Sequence, residues 1–168
     1  MTEGWLTDIK LKPIGFARHG YSDDFVENSL MGVDAVIEVL PENVDGLKRL
    51  EDFSHIIVIA YMHKASEEHK GNMLIKPRGL ARRLSVSLDA LPTVGVFATN
   101  SPHRPNPIAV TIAKLVRIEG NKLFVENIDL FNGTPVLDIK PYTRDRCIEN
   151  ARMPKWLEDL VIHTSCSR

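Results

Sequence analysis

The sequence predicts an all-β protein, a single sheet closed or nearly closed into a barrel with a few short helices, and three observations predict it. About seven short segments rich in β-branched residues follow one another, with turn residues roughly every 8 to 12 positions. Only two short stretches carry a helical period, and no Gly-x-Gly-x-x-Gly joins a strand to a helix, so alternating βαβ units and an ordinary dinucleotide site are unsupported. A chain of 168 residues, 43% of them hydrophobic, suffices for one core and not comfortably for two. Residues 1–145 are expected to form the barrel, and 146–168 a short C-terminal helix that packs on it or at a dimer interface.

From Lys10 to Arg18, β-formers interrupted by Pro13 and Gly15 suit an edge strand with a bulge. Tyr21 to Gly32 is polar and aperiodic, which predicts a loop. Val33 to Leu40 is a β-branched strand that Pro41 stops. Val44, Leu47 and Leu50, spaced by three, predict a short amphipathic helix. Ser54 to His63 is apolar on both faces, as a covered core strand would be. Lys64 to Pro92 has no sustained period and is expected to be a loop. Ile108, Val110, Ile112, Val116 and Ile118 fall on even positions of a further strand, and Glu119-Gly-Asn-Lys122 turns it back along Leu123 to Leu130. Asn132-Gly133 marks another turn before Val136 to Ile139. Pro154 opens a last helix, whose apolar stripe is Trp156, Leu157, Leu160 and Val161.

The N-terminus lacks the basic and apolar regions of a signal peptide, and the longest apolar run, Ile56 to Met62, is far short of a membrane span. A soluble, cytoplasmic protein without membrane contact is expected. Cys147 and Cys166 have no metal-ligand or disulfide-framework spacing. His55 and His63, eight apart on one strand, would be separated by about 26 Å and cannot share a metal through it, so no metal is expected. A net charge of −1 argues against bulk capture of nucleic acid. Locally, however, Lys70, Lys76, Arg78, Arg82 and Arg83 lie in a segment with no Asp or Glu between His69 and Leu88, which reads either as a solvated loop or as a phosphate-contacting patch.

Two segments hold the candidate chemistry. In Ser101-Pro-His-Arg-Pro-Asn-Pro107 the prolines fix φ and remove amide donors, so a stiff loop presents His103, Arg104 and Asn106 at low entropic cost; a purely structural connection reads equally well. In Asn132-Gly-Thr-Pro-Val-Leu-Asp-Ile-Lys-Pro-Tyr142 the Asn-Gly pair exposes backbone, Asp138 and Lys140 share a strand face, and Tyr142 offers a ring or a hydroxyl. Neither hydrolase nor zinc-peptidase signatures occur.

Phe53-Ser-His-Ile56, Gly95-Val-Phe-Ala-Thr99 with Ser101-Pro-His-Arg-Pro-Asn-Pro-Ile108, and Asn132 to Tyr142 together closely resemble the TrmO family, also called TsaA-like, over about Leu11 to Tyr142. That resemblance implies a dimeric single-sheet β-barrel that binds S-adenosylmethionine outside a Rossmann fold. It also implies N6-methylation of N6-threonylcarbamoyladenosine beside the tRNA anticodon. By motif position it implies cofactor contacts at His63, Lys64, Asn100, Val110, Leu130, Phe131, Asn132 and Gly133. Many members have Arg where this chain has Asn100 and Gly where it has Ala109.

Methyl transfer to an exocyclic nitrogen needs chiefly an in-line approach and a proton acceptor. Asp138 is the expected base, His103 the second candidate, and Tyr142 a further catalytic candidate. Arg104 or Lys140 would hold a carboxylate, while Asn106, Lys76, Arg78, Arg82 and Arg83 would meet the RNA. Two alternatives remain open at this level: methylation of another RNA or a small molecule, and a non-enzymatic nucleic-acid-binding barrel.

Overall fold

A computed structural model describes residues 9–66 and 71–161. Six antiparallel strands close a barrel in the order β1 (Gly15–Arg18), β2 (Val33–Val39), β7 (Lys122–Ile128), β6 (Ile108–Glu119), β3 (His55–Tyr61) and β8 (Pro135–Pro141), which returns to β1. A two-stranded sheet of β4 (Leu74–Ile75) and β5 (Val94–Gly95) stands apart from it. The helices are α1 (Asp23–Asn28), α2 (Arg78–Arg83) and α3 (Lys155–Val161).

Alternation builds the core. Ile37 and Val39 of β2, Ile56 and Val58 of β3, Leu123 and Val125 of β7 and Val136 of β8 all point inward and are buried. Asn127 at φ 64 breaks the period of β7, so Ile128 rather than its neighbour turns into the core. Beside this irregularity Gly32 sits at φ +76, where an added Cβ would lie 2.7 Å from the Asn127 carbonyl carbon.

Several expectations need correction. β1 is not an edge: it is paired on both sides, by Glu38 and Val39 of β2 and by Pro135 and Val136 of β8. Pro13 precedes the paired residues and so costs the ladder no donor, while Gly15 lets β2 approach where a Cβ would meet Glu38 O at 2.5 Å. The expected loop at Tyr21–Gly32 contains α1, started by the Ser22 side chain, which accepts from the Phe25 amide, and by Asp23 and Asp24 in its first turn. The expected helix around Leu47 is 3₁₀, over Pro41–Leu47 and Leu50–Asp52, which is what a spacing of three rather than three-and-four favours. α2 lies inside the expected loop of Lys64–Pro92. β3 is buried on alternate residues only, because its outer face lacks a covering layer.

Val110, Ile112 and Val116 of the even-numbered apolar set of β6 point away from the core, while Ile118, beyond a register shift, packs against it. Val110 is 66% exposed and Ile112 50%, whereas Ala113 and Leu115 are buried. In the ladder Ile59 faces Val110 and Ile57 faces Ile112, so an aliphatic wall runs along the outside of β3 and β6. Lys70, Cys166 and the side chains of Leu160 and Val161 lie outside the described residues. Among the described residues, no helix is long and apolar enough to cross a membrane, and no cluster of His, Cys, Asp and Glu could hold a metal ion.

Candidate active site

At one rim of the barrel β1, β3 and β7 end while β2, β6 and β8 begin, so loops distant in sequence are brought together there. Three segments carry the site: Leu130–Thr134 after β7, His63-Lys64 after β3, and the proline-rich loop before β6. The strands hold each in place. Gly133, at φ +83, donates its amide to Ala17 O across 2.8 Å, and the Met62 amide reaches Pro107 O at 2.7 Å, which seats the proline-rich loop beside His63.

Leu130 is buried and Phe131 packs half-buried against the core, so the Asn132-Gly133 turn projects from a fixed base. The Lys64 ammonium lies 5.2 Å from the Phe131 ring centroid and 2.5 Å from Asp23 Oδ2 at the start of α1. His63 Nδ1 is 3.3 Å from Oγ1 of Thr134, a residue only 2% exposed. Burial first, then the neighbouring Lys64 charge, holds the His63 imidazole below its ordinary pKa, and Asp23 opposes them only partly.

Three members of this arrangement were not anticipated from the sequence: His19, Asp23 and Thr134. His19 bonds Leu130 O through Nε2 at 2.9 Å, and its amide donates to Asn132 Oδ1 at 3.2 Å. Because a carbonyl can only accept, Nε2 carries the proton, and Nδ1 receives the Tyr21 amide at 3.3 Å. His19 thereby ties β1 to the turn. The run Ser22-Asp-Asp was the available signal for α1 and for Asp23.

The other expected site residues divide. Asn100 and Asn106 are exposed in a loop that has neither helix nor strand. Arg104 is directed inward at its own loop: Nε donates to Ser101 O at 2.9 Å and Nη2 to the carbonyls of Val96 and Thr99. Its fork braces the loop instead of reaching for a ligand. The His103 amide donates to Ser101 Oγ at 3.3 Å within the same loop. Val110 lies on the outer wall, opposite Ile59.

Asp138 and Lys140 do share a face, but as an ion pair of 2.6 Å on that same wall, beside Ile59 and Ile57. Asp138 lies within β8, opposite Ile59 on the outer wall, and is not part of the Leu130–Thr134 turn. Tyr142 belongs to the opposite rim, where its amide donates to His55 O at 3.1 Å and the two rings meet edge-on. The segment between them is extended, so residues adjacent in one motif span the barrel.

Among its described residues, the cationic segment is neutralised from elsewhere only in part. Lys76 pairs with Asp89, Arg82 with Glu27 of α1, and Arg83 donates to Glu27 O, which leaves Arg78 exposed at the start of α2. Acidic residues outside the segment supply the balance that its own sequence lacks.

A family described as the tRNA-methyltransferase O N-terminal domain matches residues 27–146. A probable S-adenosyl-L-methionine-binding protein of Pyrococcus abyssi is 41% identical over 158 residues, 91% of this chain and 78% of its own length. The human tRNA (adenine(37)-N6)-methyltransferase is 43% identical over 96 residues, 57% of this chain and 20% of that enzyme. The crystal structure of TrmO from Pseudomonas aeruginosa aligns with a TM-score of 0.64 at 30% identity, covering 87% of this chain and 62% of that one. The chain thus spans less than two thirds of the solved TrmO structure.

Proposed function

This chain belongs to the tRNA-methyltransferase O family, and from that membership we propose that it is an S-adenosylmethionine-dependent tRNA methyltransferase acting on N6 of N6-threonylcarbamoyladenosine beside the anticodon. The observation that carries the reading is the rim itself: Lys64 over the Phe131 ring, flanked by the Asn132-Gly133 turn and by His63.

The residues present suit the cofactor. Lys64 is a cation for the methionine carboxylate, and the Phe131 face already accommodates a positive charge, as a sulfonium requires. At Gly133 an added Cβ would meet nothing nearer than Arg18 Nη1 at 3.9 Å, so the backbone there is open to a ligand. When bound, S-adenosylmethionine supplies an electrophilic methyl carbon.

The chain's own task is orientation and proton transfer. Methyl transfer would exchange the carbon–sulfur bond for a carbon–N6 bond, leave the electron pair on sulfur and release the N6 proton, for which the chain would have to supply an acceptor. His63 is held neutral at neutral pH by its depressed pKa. In the tautomer whose Nδ1 donates to Thr134 Oγ1, Nε2 is the acceptor. This role takes the place of the base expected at Asp138, which is bridged to Lys140 on the outer wall.

The family expectation of a homodimer finds support in the aliphatic wall of Ile57, Ile59, Val110 and Ile112, a surface that a second copy would cover. Residues 1–145 would then act as the barrel unit, with 146–168 appended. The test in cells is nucleoside mass spectrometry of tRNA from a strain lacking the protein. Disappearance of the methylated nucleoside with accumulation of its unmethylated form supports the reading, and an unchanged nucleoside profile contradicts it.

A further inference from the structure

Around the barrel from the aliphatic wall, a groove of about 610 Å³ starts at the rim and descends the outside of β2, β7 and β6. Arg18, His19, Tyr21, Val36, Arg117 and Phe124 line it. Two features give it a distinctive chemistry. At its head the ring of Tyr21 stacks on Phe25, which stands just outside the lining, with centroids 5.1 Å apart and planes inclined by 12°; both are exposed, Phe25 to 54%. At its floor the Arg117 guanidinium lies over the Phe124 ring at 3.5 Å. A soluble protein gains nothing from leaving a stacked aromatic pair open to water, whereas a flat heteroaromatic ligand extends such a stack at little entropic cost.

Its charges do not favour phosphate. Arg117 is paired to Glu119 at 2.6 Å, Arg18 lies 3.7 Å from Glu38, and Asp34 and Glu126 also border the groove. Recognition here must come through ring faces and planar guanidinium groups, the means by which proteins hold unpaired bases. The position also fits: His19 links the groove to the active-site turn through Leu130 O and Asn132. A base stacked on Tyr21 and Phe25 therefore lies next to the rim where the acceptor nucleoside must sit.

We infer that this groove is a stacking platform for unpaired nucleobases of the RNA substrate flanking the acceptor nucleoside, with Tyr21 and Phe25 at its head and Phe124 under Arg117 at its floor. The inference rests on the proposed function for its RNA, but its test is separate. The probe is a short single-stranded RNA carrying 2-aminopurine, whose fluorescence is quenched on stacking, alongside the same sequence as a duplex. The wild-type protein is expected to quench and bind the single strand in preference to the duplex. Binding should weaken only about threefold between 50 and 200 mM salt, as for a single phosphate contact. Phe25→Ala and Phe124→Ala should each weaken binding about tenfold, the loss of one stacked base, while Phe25→Trp keeps it. Calorimetric affinity for S-adenosylmethionine should be the same in Phe25→Ala as in wild type, which reports an intact fold. Single-strand binding unaffected by either alanine, or duplex bound as tightly as single strand, overturns the inference. Absence of cofactor binding in the wild type counts instead against the proposed function, and the fluorescence assay is blind to it.

Discussion

Lys64 and Asp23 form an ion pair of 2.5 Å across 41 residues of sequence, so the cation proposed for the cofactor carboxylate is already committed to α1. A carboxylate arriving at Lys64 competes with Asp23. Lys64→Ala is therefore expected to weaken S-adenosylmethionine binding by about ten- to a hundredfold, the range for a hydrogen bond to a charged group. Asp23→Asn should tighten it by up to about fivefold, the cost of breaking an exposed pair being small. Calorimetry on both variants checks the pair of signs, and looser binding in Asp23→Asn would show that Asp23 supports the cofactor rather than competes with it.

His63 makes the site pH-dependent. Its folded pKa lies below the unfolded value, so in the window just under pH 6.5 the unfolded chain binds more protons than the folded one, and stability contributed by neutral His63 is lost as pH falls through the folded pKa. Single-turnover methyl transfer should drop over the same window as the acceptor is protonated. Proton NMR of the His63 ring should titrate below 6.5. His63→Gln should flatten the acid limb of the rate profile, and an unchanged limb would remove His63 from proton transfer.

The bonds of Arg104 to Ser101, Val96 and Thr99 carbonyls make it a brace. Arg104→Ala should lower unfolding stability by about 1–3 kcal/mol, because it leaves part-buried carbonyls without donors. Arg104→Lys should recover little of this, since one ammonium cannot match a planar fork that serves three acceptors. Denaturant melts of the two variants give the answer; a melt of Arg104→Ala identical to wild type would mean that the loop holds itself.

Ile112, half exposed on the outer wall, is placed to separate folding from association. Ile112→Arg should leave the thermal unfolding of the barrel nearly unchanged and convert the protein to a monomer in sedimentation. A wild-type dimer retained by Ile112→Arg would put the interface elsewhere.

The strands were legible because alternation and turn chemistry are local: every barrel strand overlaps a segment read from its pattern, Val33–Val39 and Ile108–Glu119 each to within one residue. What the pattern could not show was direction. The apolar set of β6 marks a strand whichever way it faces, and only closure of the barrel turns Val110 and Ile112 outward and Ala113 inward. α1 escaped notice because it buries one residue, Val26, in six and so has no period to display. The site was half legible. The motif order brings His63, Lys64 and the Leu130–Gly133 turn to one rim, but Tyr142 and Gly133, members of one motif, lie at opposite ends of β8, since a strand separates what a sequence motif joins. The pairing of Arg82 with the Glu27 carboxylate, and the bond of Arg83 to the Glu27 carbonyl, are long-range contacts with no signature in the cationic segment itself.

Methyl transfer is proposed to occur at the rim. Purified protein incubated with methyl-labelled S-adenosylmethionine and tRNA either carrying or lacking the threonylcarbamoyl group tests it most directly. Label is expected in the threonylcarbamoylated tRNA, greatly reduced label in the unmodified tRNA, and none with Lys64→Ala at low cofactor concentration. Label in neither tRNA, from a protein that binds the cofactor, would contradict it.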